Sequence, residues 1–164
     1  MSWDTRFGSL DSYEKGGVEV IADDPKNYAF SNVFAVAERA QPYEQIVVAK
    51  NFEYVLEVVR AEGESDWRIC NHDQTALIMD GQVEFRFRTA EEVVDLPENG
   101  SIRLDGPPSG TSIGRVVAQR GHLTLLPAQR AYQMQAFRLA VVLIQTIEGP
   151  DSQERWSEIC QLGL

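Results

Sequence analysis

Asp80-Gly81 stands between two runs of β character, and no other feature of the chain limits its fold as much. Ahead of it Thr75 to Met79 is apolar; behind it Val83, Phe85 and Phe87 alternate with Glu84, Arg86 and Arg88. Alternation with a period of two sends one set of side chains to a buried face and the other to water, as a half-buried strand does. An Asp-Gly step between such runs is the strongest short-range hairpin signal, because the tight primed turns need positive φ. A hairpin is expected here, with Gly81 as a fold-defining turn.

Similar signals recur along the chain. Ile46-Val47-Val48 is a short buried run, and Phe52, Tyr54, Leu56 and Val58 alternate with Glu53, Val55, Glu57 and Val59 before the Gly63-Glu64-Ser65 turn. Further on come Arg115 to Gln119, a turn at Gly121, Leu123 to Leu126, Pro127, and the extended runs Tyr132 to Phe137 and Leu139 to Ile147. Many short strands with turns at regular spacing predict an all-β barrel or double sheet. Residues 89–113, rich in glycine and proline, read as a long excursion carrying one short strand near Ile102 to Leu104. Asp151-Ser152-Gln153-Glu154 has the form of a capping box, with Trp156, Ile159 and Cys160 spaced for one helical face. It predicts a C-terminal helix over about 152–161. Residues 1–44 read as an N-terminal extension that packs on the barrel or on a partner, and 45–164 as the barrel itself. The extension holds the β-branched run Val18 to Ile21 and a break at Asp24-Pro25. Asn32 to Arg39 within it suits a helix or a strand equally. Trp3, Phe7 and Trp67 are candidate exposed anchors for a partner.

Charge narrows the function. With 15 basic and 25 acidic side chains the net charge is −10, which repels phosphate backbones and argues against nucleic acid. No apolar run approaches a membrane span and the start, Met1 to Asp11, is polar, so neither a membrane role nor a signal peptide is expected. The cytoplasm is the expected compartment. Cys70 and Cys160 are the only cysteines and His72 and His122 the only histidines, too few for a disulfide framework or a thiolate metal site. The Gly106 to Gly110 stretch has no lysine and no strand–helix context for a phosphate loop, and no G-x-S-x-G elbow occurs.

Two spacings point to chemistry. Arg68-x-Cys70-x-x-x-Gln74 is followed by Gly81, and Gly121 is followed at fixed intervals by Pro127 and Tyr132. These resemble the two cupin motifs, G-x5-H-x-H-x3,4-E-x6-G and G-x5-P-x-G-x2-H. Gly81, Gly121 and Pro127 match the scaffolding positions, and Gln129 stands where a glycine is expected. The ligand positions do not match, because the residues aligned with three histidines and a glutamate are Arg68, Cys70, Gln74 and Tyr132. Arginine has no lone pair to donate and repels a divalent cation. Glutamine and a protonated phenol are weak ligands, and one thiol cannot hold the ion alone. The four are expected to mark a vestigial, metal-free cupin site. Arg68, Gln74 and Tyr132 either bond to one another as a plug or hold an anionic or phenolic ligand, with Trp67 and His72 as further pocket candidates.

Taken as blocks, the sequence resembles the small subunit of the two-component hydroquinone 1,2-dioxygenases. The likeness lies in Asp24-Pro25-Lys26-Asn27-Tyr28-Ala29-Phe30-Ser31-Asn32-Val33-Phe34, Pro42-Tyr43-Glu44 and Arg60-Ala61-Glu62-Gly63. It continues in His72-Asp73, in Ala76 to Gly81 and in Glu154-Arg155-Trp156. The resemblance implies a cupin-like chain with no cofactor of its own, paired with a larger cupin subunit that holds Fe(II), usually as a heterotetramer of two chains of each kind. It implies that the assembly opens a hydroquinone-type ring with dioxygen to a 4-hydroxymuconic semialdehyde, in the degradation of 4-nitrophenol or 4-hydroxyacetophenone. This chain's part would be support of the iron subunit, with no catalytic residue carried over. The competing readings are a free-standing, metal-free cupin that binds or isomerises a small molecule through Arg68, Tyr132 and His72, and a degenerate metal site built on His72 and His122.

Overall fold

The computed structural model describes residue 22 and residues 31–93, 95–160 and 162. Trp3, Phe7, the Val18 to Ile21 run and the Asp24-Pro25 break lie outside them. The described part opens with helix α1 (Val33–Arg39). Asn32 decides between the two conformations open to this stretch. Its Oδ1 accepts the backbone N–H groups of Phe34 (3.0 Å) and Ala35 (3.4 Å), two donors that a helix start otherwise leaves bare. The helix stops at Ala40, which is extended, just ahead of Pro42, whose ring disfavours a helical Gln41.

Strands β1 (Gln45–Asn51), β2 (Tyr54–Glu64), β3 (Arg68–Cys70), β4 (Gln74–Asp80) and β5 (Gln82–Thr89) follow. Then come β6 (Ser101–Arg103), β7 (Ser112–Gln119), β8 (Leu123–Leu126), β9 (Arg130–Ile147) and β10 (Ser152–Gln153), and helix α2 (Trp156–Ile159) is the last described element. The ten strands among the described residues form one curled sheet in which β9 is the common partner, pairing antiparallel with β2, β3, β4 and β5. Inside the curl lies an apolar cluster built on Phe85, Met134, Ile144, Ile78 and Leu126, each at most 1% exposed. Burying Phe85 alone contributes about 2 kcal/mol. Outside, α1 and α2 seal the β1–β2 face through Val36, Ile46, Val58 and Ile159. The loop after β5 covers the outer face of β3, with Val93 and Leu96 against Trp67, Ile69 and Ala131.

Asp80-Gly81 is not a hairpin. β4 and β5 do not pair with each other; both run antiparallel to β9, β4 along Val141 to Gln145 and β5 along Arg130 to Gln135. They are two halves of one bent strand, and Gly81, at φ +77°, is its corner. The positive φ that the dipeptide signals is therefore spent on a bend, and the backbone there also passes close to β9. A Cβ on Gly81 would lie 2.8 Å from Ala140 Cβ and 2.9 Å from Ala140 Cα. Gly63 has a similar φ of +76° but open space around it, so the two separate backbone strain from crowding. In urea unfolding, Gly81→Ala is expected to cost about 2 kcal/mol and Gly63→Ala about 1 kcal/mol; equal losses would mean that the approach to Ala140 carries no weight.

The expected helix over 152–161 is shorter than its pattern. Ser152 and Gln153 pair in parallel with Gln45 and Ile46 of β1, and helical turns begin only at Trp156. The side chains that resemble a capping box are claimed by the barrel instead, Asp151 by Arg68 and Ser152 by Glu57. Local capping yields to tertiary bonding where the latter satisfies buried groups.

Candidate functional site

The inward faces of β1, β2, β3, β4, β6 and β9 bring polar side chains together at one end of the barrel. Tyr132 and Gln74 are each 1% exposed. The Tyr132 hydroxyl donates to Gln74 Oε1 (3.1 Å), and Gln74 Nε2 donates to Thr146 Oγ1 (2.8 Å). Arg68, 5% exposed, donates through Nη1 to Asp151 Oδ2 (2.9 Å) and to Ser101 Oγ (3.2 Å), and Gln45 Nε2 also reaches Ser101 Oγ (3.3 Å). The Cys70 thiol donates to the Gly100 carbonyl (3.1 Å). Burial pushes the Tyr132 phenol up to about 12, against the pull of the Arg68 charge, and burial raises the Cys70 thiol as well. Both stay protonated at neutral pH. Arg68, Cys70, Gln74 and Tyr132 thus share one interior region, but only Gln74 and Tyr132 bond directly to each other; Thr146, Ser101, Asp151 and Gly100 complete the set.

Glu57 belongs to the same region and was not anticipated. Its strand turns Val55, Glu57, Val59 and Ala61 inward and leaves Tyr54 57% exposed, as the turn before it leaves Phe52 87% exposed. Glu57 is 1% exposed. Oε1 accepts from the Ser152 hydroxyl, while Oε2 has no partner among the described residues. Burial pushes its carboxyl up to about 7, with Ser152 and Arg68 pulling it down and Asp151 and Glu148 pushing it further up. The available signal was the spacing of small apolar residues two positions either side of the acid.

Trp67 and His72 lie elsewhere. Trp67 is 9% exposed and packs with Ile69 on the other face of β3, so it is neither an exposed anchor nor a neighbour of Arg68 in the interior. His72 accepts the Gly100 N–H at Nε2 (3.1 Å) and sits 3.0 Å from the Asp73 carbonyl through Nδ1; it fastens the returning excursion to the barrel. His122 accepts the Gln119 N–H (2.9 Å), and its carbonyl meets Ile78 near the far end of β4 from His72. The two histidines do not converge. Gly121 (φ +87°) makes the turn from β7 to β8, and Pro127 ends β8. Gln129, which replaces the motif glycine, takes the left-handed conformation that glycine would supply (φ +57°). Its backbone N–H donates to the Cys70 carbonyl (2.7 Å) and its amide to Asn71 (3.1 Å).

A cleft of about 370 Å³ opens above Arg68, lined by Tyr43, Gln45, Ser65, Arg103 and Asp151 among others. Whether this region could hold the divalent cation of a metal-bearing cupin is a question of donors. A guanidinium fixed by Asp151, an amide and a phenol bonded to each other, and a protonated thiol do not fit one. Among the described residues no three His, Cys, Asp or Glu side chains gather as a metal would require.

The curled sheet has the fold of a cupin. It shares that fold with a cupin-2 domain protein from Shewanella frigidimarina NCIMB 400 (TM-score 0.50, 17% identity, covering 69% of this chain and 88% of that one). No protein-family model matches the chain, and no curated protein matches it. Solved structures match over nearly its whole length. Hydroquinone 1,2-dioxygenase from Sphingomonas sp. TTNP3 with 4-hydroxybenzoate bound is 47% identical over 99% of this chain and 100% of that chain, with TM-score 0.83. Hydroquinone 1,2-dioxygenase PnpCD in complex with Cd2+ and 4-hydroxybenzonitrile is 44% identical over 97% of both chains, with TM-score 0.82. The chain belongs to the hydroquinone 1,2-dioxygenase family. A longer chain of the Sphingomonas sp. TTNP3 enzyme, crystallised with 4-nitrophenol, shares the barrel fold alone: 15% identity and TM-score 0.61 over 84% of this chain and 38% of that one.

Proposed function

We propose that this chain is the smaller, non-catalytic subunit of a hydroquinone 1,2-dioxygenase, assembled with a longer cupin chain that carries the Fe(II), two of each per enzyme. The observation that carries the reading is Arg68, a permanent cation locked to Asp151 and Ser101 at a position where a metal-bearing cupin needs a lone pair. The reaction is ring opening of a hydroquinone with both atoms of dioxygen retained in a 4-hydroxymuconic semialdehyde, a step in nitrophenol-type degradation. The role of this chain is to stabilise the iron-bearing chain and shape access to its site. Among the described residues no helix is long and apolar enough to cross a membrane. Cys70 and Cys160 are both unpaired, which suits the reducing cytoplasm.

The test is capture of the tagged chain from its native host. A second chain, longer than this one, is expected to come down with it, with iron bound in proportion to the longer chain and hydroquinone cleavage in the captured complex. The chain made alone is expected to bind no stoichiometric iron and to cleave nothing. Ring cleavage by the isolated chain would overturn the proposal.

A further inference from the structure

Phe52 occupies a position where folding alone would choose a different residue. β1 and β2 are joined by the two-residue turn Phe52-Glu53, closed by the Asn51 to Tyr54 pairing. The first turn residue has φ +56°, a conformation that glycine or asparagine adopts freely and that strains a bulky aromatic. Among the described residues the ring gains little in return, since Phe52 is 87% exposed and Tyr54, two residues on at the same tip, is 57% exposed. The support beneath them is stiff. Lys50 is paired with Glu148 (2.6 Å) and with Glu154, and the Glu148 N–H donates to the Glu53 carbonyl (2.7 Å). Two aromatic rings are therefore held out from a braced hairpin, and the described charges bracing it are Glu53, Glu148 and Glu154 against Lys50. Strain kept at an exposed residue points to a compensating contact, and a rigid aromatic knob loses little freedom when it binds.

We propose that the β1–β2 tip anchors this chain to the longer chain of the dioxygenase, Phe52 and Tyr54 entering an apolar socket edged with arginine or lysine. The inference rests on the subunit assignment above. Charge favours this occupant: the rim is net acidic, and a second copy of a chain at −10 would meet it with like charge. The test compares co-expressed complexes containing wild-type or Phe52→Gly chain by sedimentation over a dilution series, together with urea unfolding of each chain alone. Phe52→Gly removes ring and strain together, so the variant chain alone is expected to be at least as stable as wild type. Its complex is expected to dissociate at a concentration at least tenfold higher. Phe52→Asn, which also tolerates the turn, is expected to behave in the same way. Equal dissociation of wild-type and variant complexes would overturn the anchor, as would a loss of stability in the isolated variant, which would show that the ring packs within its own chain. A wild-type self-dimer abolished by the substitution, with the mixed complex unaffected, would assign the tip to a second copy and overturn it too. If wild type forms no complex with a longer chain, the subunit assignment itself fails, an outcome distinct from all of these.

Discussion

The Arg68→Met variant is expected to lose about 3 kcal/mol of folding stability, read as a lower urea midpoint at unchanged slope. Methionine keeps most of the stem's packing, so the loss isolates the charge. Among the described residues Arg68 is the cation that hydrogen-bonds Asp151, at 2.9 Å, with the largely exposed Arg103 pairing at a longer 3.7 Å. Its charge also draws down the Glu57 carboxyl. Without it two acids face each other at the barrel mouth and Ser101 loses a donor. Removing one member of a buried pair costs about 3–5 kcal/mol in general, and Asp151, with its side chain 24% exposed, can recover some hydration, which sets the expectation at the lower end. Asp151→Asn is expected to cost less, because Arg68 keeps Ser101 and the asparagine oxygen still accepts. The double variant should fall short of the sum by about 1–2 kcal/mol, the signature of a shared contact. If Arg68→Met unfolds within 0.5 kcal/mol of wild type (about the size of an ordinary surface substitution), the Arg68–Asp151 pair contributes nothing measurable to holding this end of the barrel.

What the sequence makes legible here follows from which forces act locally. Alternation of apolar and charged residues is a local consequence of the pleat, so the strands and the all-β architecture are readable from Gln45 to Ile147. The four motif-aligned residues are readable too, because spacing along strands fixes which side chains share a face. Topology is less local. The positive φ demanded by Asp80-Gly81 serves a hairpin or a corner equally well, and only the length of β9, which pairs with both β4 and β5, selects the corner. Glu57 could not be singled out, because alternation alone does not say which face of the strand is inward; Phe52 and Tyr54 are exposed. Ser152 and Asp151 were read as helix caps because the partners that claim them, Glu57 and Arg68, are 95 and 83 residues away. Each misreading occurs where a distant contact outweighs a neighbouring one, and all but the corner lie beside the barrel centre or the proposed docking tip.

Glu57→Gln is expected to remove a pH-dependent loss of stability that wild type suffers between pH 4.5 and 7. The Glu57 carboxyl sits at about 7 in the folded chain against an ordinary 4.5, raised by burial. Below about pH 4.5 it is protonated in both folded and unfolded chains and contributes no penalty. Between 4.5 and 7 the unfolded chain releases the proton while the folded chain retains it, so stability falls as pH rises. Above 7 both forms are ionised and the loss levels off at about 3 kcal/mol. A glutamine has no proton to release, so the variant should gain on wild type across that window and hold a constant advantage above it. Carboxylates held low by exposed cations, Glu84 by Arg86 and Glu154 by Lys50, favour folding at higher pH instead, but they act alike in both proteins and cancel in the difference. Urea midpoints at half-unit steps from pH 4.5 to 8.5 measure it directly. Parallel curves for the two proteins would mean that Glu57 keeps an ordinary affinity for its proton, and that its unpartnered oxygen is better solvated than the packing around it allows.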